Sequence, residues 1–156
     1  KKNIFIYYMA HINLEDKYND KKGIYVLTLT GEKPFKIGMT NQPIYKRINS
    51  YVNCPSSHKG HFIHLLLTYP VNSDLNAKSV EGFIFRKLVK YRLNSNQRKM
   101  ANKSEHFDIS LKTIIKVFEE AKIFYEKRYG LEISVDKLGD KTVKTVIRKG
   151  NRNVLV

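Results

Sequence analysis

The sequence predicts an α+β domain in which a small antiparallel β-sheet of about three strands is flanked by helices, and three observations carry that expectation. Two β-rich runs, 23–30 and 35–39, are separated by a turn containing Gly31 and Pro34, the pattern of a β-hairpin. Apolar residues then recur at helical spacing, first at Ile44, Ile48, Tyr51 and Val52 and later at Ala77, Val80, Ile84, Leu88 and Tyr91. Between these segments, His61 to Tyr69 is almost continuously apolar, as expected of a strand covered on both faces. The order β-β-α-β-α, with a C-terminal helix and a basic tail, describes short strands layered with helices.

Each element has local support. Residues 4–9 are apolar and give way to polar residues 13–16, which reads as a short strand or helix followed by a loop. After the hairpin, Thr40 and Asn41 are capping residues and Pro43 suits a first helical turn; that helix is expected to reach Val52. Cys54-Pro55-Ser56-Ser57 ends it. A long helix is expected over Asp74 to Leu93, then a polar loop from Asn94 to Ser104 and a brief extended piece at Glu105-His106-Phe107. Ser110 caps a final helix ending near Arg128, with Gly130 as its stop. The weakly alternating tail, 131–156, has room for one or two strands. This divides the chain into an N-terminal extension, 1–21, a core, 22–109, and a C-terminal helix with a basic extension, 110–156.

Composition narrows the function. Lys and Arg total 29 against 14 Asp and Glu, a net charge of +15 over 156 residues. Such an imbalance repels itself and points to a polyanionic partner, nucleic acid first. An anionic membrane surface is the second such partner; no apolar run approaches the roughly 20 residues that span a bilayer, and DNA rather than a membrane is the expected partner. Cys54 is the single cysteine, which excludes an intramolecular disulfide and suits a reducing, intracellular compartment. Charge is unevenly spread. No acidic residue occurs from Gly82 to Ser104, where Arg86, Lys87, Lys90, Arg92, Arg98, Lys99 and Lys103 all fall. These seven are the candidate nucleic-acid contacts. A second basic stretch runs from Lys141 to Arg152.

One side chain breaks its local pattern. Glu81 lies within the stripe formed by Ala77, Val80, Ile84 and Leu88, where a carboxylate costs several kcal/mol unless it is paired or bound to a metal. A buried ion pair, a solvated stripe edge and metal ligation all answer that cost. Arg47 sits at the edge of the earlier helix's apolar face, where it either clamps a phosphate or extends to water over its own stem. Tyr25 and Lys36 lie on the two hairpin strands, where packing and solvation are their ordinary roles. Cys54, His58, His61 and His64 match no standard four-ligand zinc spacing.

Taken together, four positions carry more. Gly23-Ile24-Tyr25 followed by Lys36-Ile37-Gly38, with Tyr25 and Lys36 eleven residues apart, resembles the paired motifs of the GIY-YIG nuclease superfamily. Arg47 on the next helix and Glu81 on a later one occupy the places of that family's Arg and metal-binding Glu. Phe35 to Thr40, with Glu105-His106-Phe107, resembles a branch common in phages and large DNA viruses. The likeness covers roughly residues 22–109. It departs from the family name at Lys36, where a Tyr is usual.

The resemblance implies a metal-dependent endonuclease that hydrolyses DNA. A divalent cation, Mg²⁺ or Mn²⁺, would be held by Glu81 and water; Tyr25 would be the base, Lys36 its assistant, Arg47 a transition-state cation, and Tyr51 a further site residue. An ammonium near Tyr25 would favour its phenolate, but the sequence does not give the hairpin register. The family often has a further Asn, for which Asn94, Asn96 and Asn102 are candidates. The alternative is a catalytically decayed domain that binds nucleic acid. A homodimer or an additional domain of a longer chain stays open.

Overall fold

The computed structural model describes residues 17–28, 32–47, 62–94 and 103–138. Its elements are β1 (Lys21–Thr28), β2 (Phe35–Thr40), β3 (Phe62–Pro70), α1 (Ala77–Lys87), a 3₁₀ turn (Val89–Tyr91), β4 (Arg92–Asn94), β5 (Lys103–Phe107), α2 (Leu111–Tyr129) and β6 (Ser134–Lys137). The six strands form one sheet in the order β4-β5-β2-β1-β3-β6, with every neighbouring pair antiparallel. The α+β class is as expected, but the sheet has six strands rather than about three. The three inner strands, β2-β1-β3, are the long ones the sequence marks; the extended piece expected at 105–107 is the end of β5, β6 falls in the tail where a strand is expected, and β4 lies where the end of a helix and a loop are expected. The outer ones are short and polar, Arg-Leu-Asn, Lys-Ser-Glu-His-Phe and Ser-Val-Asp-Lys. Such strands carry little propensity signal of their own and form because a paired edge is available to them.

Residues directly opposite in an antiparallel pair share a face, and faces alternate along each strand. One face therefore presents Ile24 and Val26 of β1, Phe35 and Ile37 of β2, and Leu65, Leu67 and Tyr69 of β3. These residues pack with Ala77, Val80, Ile84 and Leu88 of α1 and Ile114, Val117, Phe118 and Ala121 of α2 to form the core. Full burial of each large apolar side chain stabilises the fold by about 1.5–3 kcal/mol. The other face presents Tyr25 and Leu27, with Leu66 opposite Tyr25, and these are buried as well.

The helix expected over Asp74 to Leu93 is shorter. Asn76, in extended conformation, caps α1 by accepting a hydrogen bond from the Lys78 amide at 2.8 Å. The capping expectation for Asn41 is redirected: its Oδ1 accepts from the Ala77 amide at 2.9 Å, so it serves α1 rather than the segment that follows it. Its Nδ2 also donates to Asn76 Oδ1 at 3.3 Å. At the other end, the Asp108 amide donates to the Tyr91 carbonyl at 2.8 Å. The chain is thereby turned into the β4–β5 pair, and Tyr91 leaves the helical stripe. By contrast, α2 begins at Ser110, whose hydroxyl accepts from Thr113 N, and closes at Gly130 in the left-handed conformation, as its sequence signals indicate. The earlier helical segment is described only over 44–47, with Ile44 buried. Among the described residues, no helix is long and apolar enough to cross a membrane.

Candidate functional site

The hairpin register brings the two sequence motifs side by side. Tyr25 on β1 stands opposite Gly38 on β2, and Leu27 stands opposite Lys36. Tyr25, Lys36 and Gly38 consequently belong to one face of the sheet. The phenol lies across the Gly38 backbone. A Cβ at Gly38 would come within 2.4 Å of the Tyr25 hydroxyl oxygen and 2.5 Å of Cζ, so glycine there is a condition for the position of Tyr25. Gly23 is equally constrained, because a Cβ would meet the Leu67 carbonyl oxygen of β3 at 1.8 Å. Both motif glycines are thus explained by close approach within the sheet.

Lys36 is flanked on its other side by His106 of β5, and its Nζ reaches Glu105 Oε1 at 2.5 Å. Glu81 is 6% exposed, on the side of α1 that packs into the core. Lys78 Nζ, one turn earlier, lies 3.7 Å from Glu81 Oε1. Burial pushes the Glu81 carboxyl above the ordinary range, the charge of Glu105 adds to that, and Lys78, Lys36 and Arg92 pull the other way. Glu81 and Lys36 therefore share one electrostatic neighbourhood, together with Glu105 and Arg92.

The remaining candidates are placed as follows. Arg47 is exposed at the end of the 44–47 segment. Arg86, Lys87 and Lys90 are exposed at and beyond the end of α1; Lys87 pairs with Glu120 at 3.6 Å and the Lys90 ammonium lies 5.4 Å from the centre of the Tyr91 ring. Arg92 is half-buried: its Nε donates to the Ser104 carbonyl at 2.7 Å and its guanidinium stacks 4.6 Å from the Phe85 ring centre. It holds β4 against β5. Lys103 pairs with Asn94 through the β4–β5 backbone, and Asn94 is exposed. Tyr51, Asn96, Arg98, Lys99 and Asn102 lie outside the described residues, as do Cys54, His58, His61 and the basic stretch from Lys141 onward.

Glu105 has no assigned role in the sequence reading, yet it contacts Lys36 and raises the Glu81 carboxyl. One signal could have marked it. Glu105 is the first carboxylate after the acid-free stretch that follows Glu81. Among the described residues, no group of three or more His, Cys, Asp and Glu is arranged to hold a metal. Glu81 offers carboxylate oxygens, donors that suit a hard cation keeping most of its waters.

A family model, the T5orf172 domain, matches residues 22–122, which is well over half of the chain. The chain belongs to the T5orf172 domain family. The T5orf172 domain is phage-associated and nuclease-related, and the matched span runs from the start of β1 into α2. No curated protein and no solved structure matches the chain.

Proposed function

We propose that this T5orf172 domain is a metal-dependent DNA endonuclease of the GIY-YIG type, working from Glu81, Tyr25 and Lys36. The observation that carries the reading is Glu81: a buried carboxyl, held above its ordinary range, in the same electrostatic neighbourhood as the second motif's Lys36. A carboxyl kept in such a place at a cost in stability is a candidate functional group. The domain's nuclease-related family and the net charge of +15 support DNA as the substrate.

The donor chemistry fits Mg²⁺ or Mn²⁺. Glu81 would hold the cation, which would supply charge stabilisation at the scissile phosphate and the leaving oxygen. The remaining roles belong to the chain. Tyr25, set by Gly38, is the base: as its phenolate it accepts a proton from the attacking water and becomes the phenol. Lys36 supplies positive charge on the same sheet face as that phenol. Arg47 offsets negative charge that accumulates on the phosphoryl oxygens in the transition state, and Tyr51 is a further candidate in sequence. The exposed cations Arg86, Lys87 and Lys90 meet the DNA backbone, a contact that positions the duplex without reading its sequence.

A second reading has an observation of its own. The Lys36 ammonium is ion-paired with Glu105, which suits a strand-linking role as well as a catalytic one, and the domain would then bind nucleic acid without cutting it. Supercoiled plasmid with Mg²⁺ or Mn²⁺ separates the two. Nicking or linearisation that disappears in both Glu81→Ala and EDTA, with DNA binding retained, is the result expected of the nuclease. Salt-sensitive binding with no cleavage by the wild type would establish the binding module instead. Equal cleavage by wild type and Glu81→Ala would remove Glu81 from the site.

A further inference from the structure

Away from Glu81, α1 and α2 enclose a groove of about 920 Å³. Its floor is apolar and largely aromatic. Phe83 of α1 and Phe124 of α2 stack at 5.2 Å between ring centres and 28° between planes, and Ile123 extends the surface. Exposure here is high for such side chains, 44% at Phe124 and 65% at Ile123. Apolar surface of this kind, rimmed by charge, marks a binding site. The rim consists of Lys87, Lys127 and Arg128. Among the described residues the groove's one carboxylate, Glu120, is paired with Lys87 at 3.6 Å. Phe83 lies two residues after Glu81, about 200° around the helix, so the groove opens on the opposite side of α1 from the candidate site.

Charge selects the occupant. A second copy of a chain with net charge +15 would bring cations against the same cationic rim. A polyanion that also carries flat apolar faces meets both requirements, and nucleic acid is such a molecule. In a duplex those faces are stacked inside the helix and unavailable to protein; in an unpaired strand they are free to lie on aromatic side chains while the phosphates meet Lys and Arg.

We propose that the α1–α2 groove binds an unpaired nucleic-acid strand, with a base stacked on Phe124 as the next member of the Phe83–Phe124 pair and the adjoining phosphates against Lys127 and Arg128. The site is separate from the one that would cut. It rests on nucleic acid being this domain's partner but not on cleavage, so it is tested with EDTA present.

The experiment measures binding of a dT oligonucleotide bearing one 2-aminopurine, beside a duplex of equal length, by anisotropy and 2-aminopurine fluorescence. Wild type is expected to bind the single strand and to quench its fluorescence. Phe124→Leu, which keeps an apolar side chain but has no ring, is expected to weaken single-strand binding about 5- to 150-fold, the range of one lost stacking contact, to abolish the quenching and to leave duplex binding unchanged. Phe124→Tyr is expected to behave as wild type. Ile123→Glu, at the most exposed of these positions, places a carboxylate on the floor and is expected to weaken single-strand binding without changing the melting temperature appreciably. Unchanged single-strand affinity in both Phe124→Leu and Ile123→Glu would overturn the proposal. So would an equal loss for single strand and duplex, or a dimer in sedimentation that Phe124→Leu converts to monomer. Duplex binding by wild type without single-strand binding would remove the groove while leaving the endonuclease reading in place; binding of neither would remove both.

Discussion

Burial and the neighbouring Glu105 charge hold the Glu81 carboxyl above its ordinary value, and the sign of the consequence for stability follows. Between the unfolded and the raised folded value, the folded state keeps a proton that the unfolded state has lost. Stability therefore falls as pH rises through that window. Glu81→Gln removes the penalty. Its melting temperature is expected to exceed that of wild type near neutral pH and to converge with it in acid, as a series of melts between pH 4 and 8 would show. Mg²⁺ should raise the melting temperature of wild type but not of Glu81→Gln. A second buried group gives a cleaner case. The Tyr69 hydroxyl is buried with no hydrogen-bond partner among the described residues, and burial raises its pKa. Tyr69→Phe is expected to stabilise the fold by about 1 kcal/mol, read by urea denaturation. Gly38→Ala should act on activity as well as stability. Its methyl overlaps the Tyr25 phenol, a clash worth about 1–3 kcal/mol, and moving the ring should lower cleavage about 10²-fold even where the fold survives. At this scale the sequence exposes Glu81, because a charge interrupting an apolar stripe is visible in one dimension. The face shared by Tyr25 and Lys36 depends on the hairpin register and is not. Glu105 sits on a short polar strand whose partner lies far away in the chain, so its place as the first carboxylate after the acid-free stretch marks it without showing that it meets Lys36.

Elements differ in legibility for the same reason. The strands β1, β2 and β3 are long apolar runs, and α2 carries both of its end signals, Ser110 and Gly130. The C-terminal end of α1 has no comparable signal. It is set by bonds to the β4–β5 pair, among them Asp108 N to the Tyr91 carbonyl, which no window of sequence contains. The start of α1 depends on distant residues as well, since Asn41 and Asn76 together occupy its first amides. Asn41→Ala is expected to cost about 1 kcal/mol, lowering the melting temperature by roughly 2–4 °C in a domain of this size. Hydrogen exchange should locate the loss in the first turn of α1, the turn before Glu81. An effect confined to the 44–47 segment would return Asn41 to its own helix.

For the whole molecule, charge is the property most directly legible, and it makes a quantitative demand. If the basic surface neutralises about six phosphates, affinity for duplex DNA should fall about 10³-fold between 50 and 200 mM salt. A slope near zero in a plot of log affinity against log salt would mean that the excess of cations serves something other than a nucleic-acid backbone. The sheet's connectivity has a different kind of consequence. Lys36 and His106 are neighbours across β2 and β5, and Leu66 and Asp136 across β3 and β6, yet the members of each pair are separated by seventy positions along the chain. Neither contact can form until a long loop has closed. The free energy of that closure grows only logarithmically with length, so it burdens the folding rate more than the final stability. The hairpin of β1 and β2 can assemble early from nearby residues. Lys36 meets Glu105 only after β5 arrives, so the ion pair is a late event, and a fluorescence probe on β5 should lag one on the hairpin during refolding. A nascent chain released before residue 103 would carry both hairpin strands and still lack Glu105, the carboxylate that pairs with Lys36 and raises Glu81.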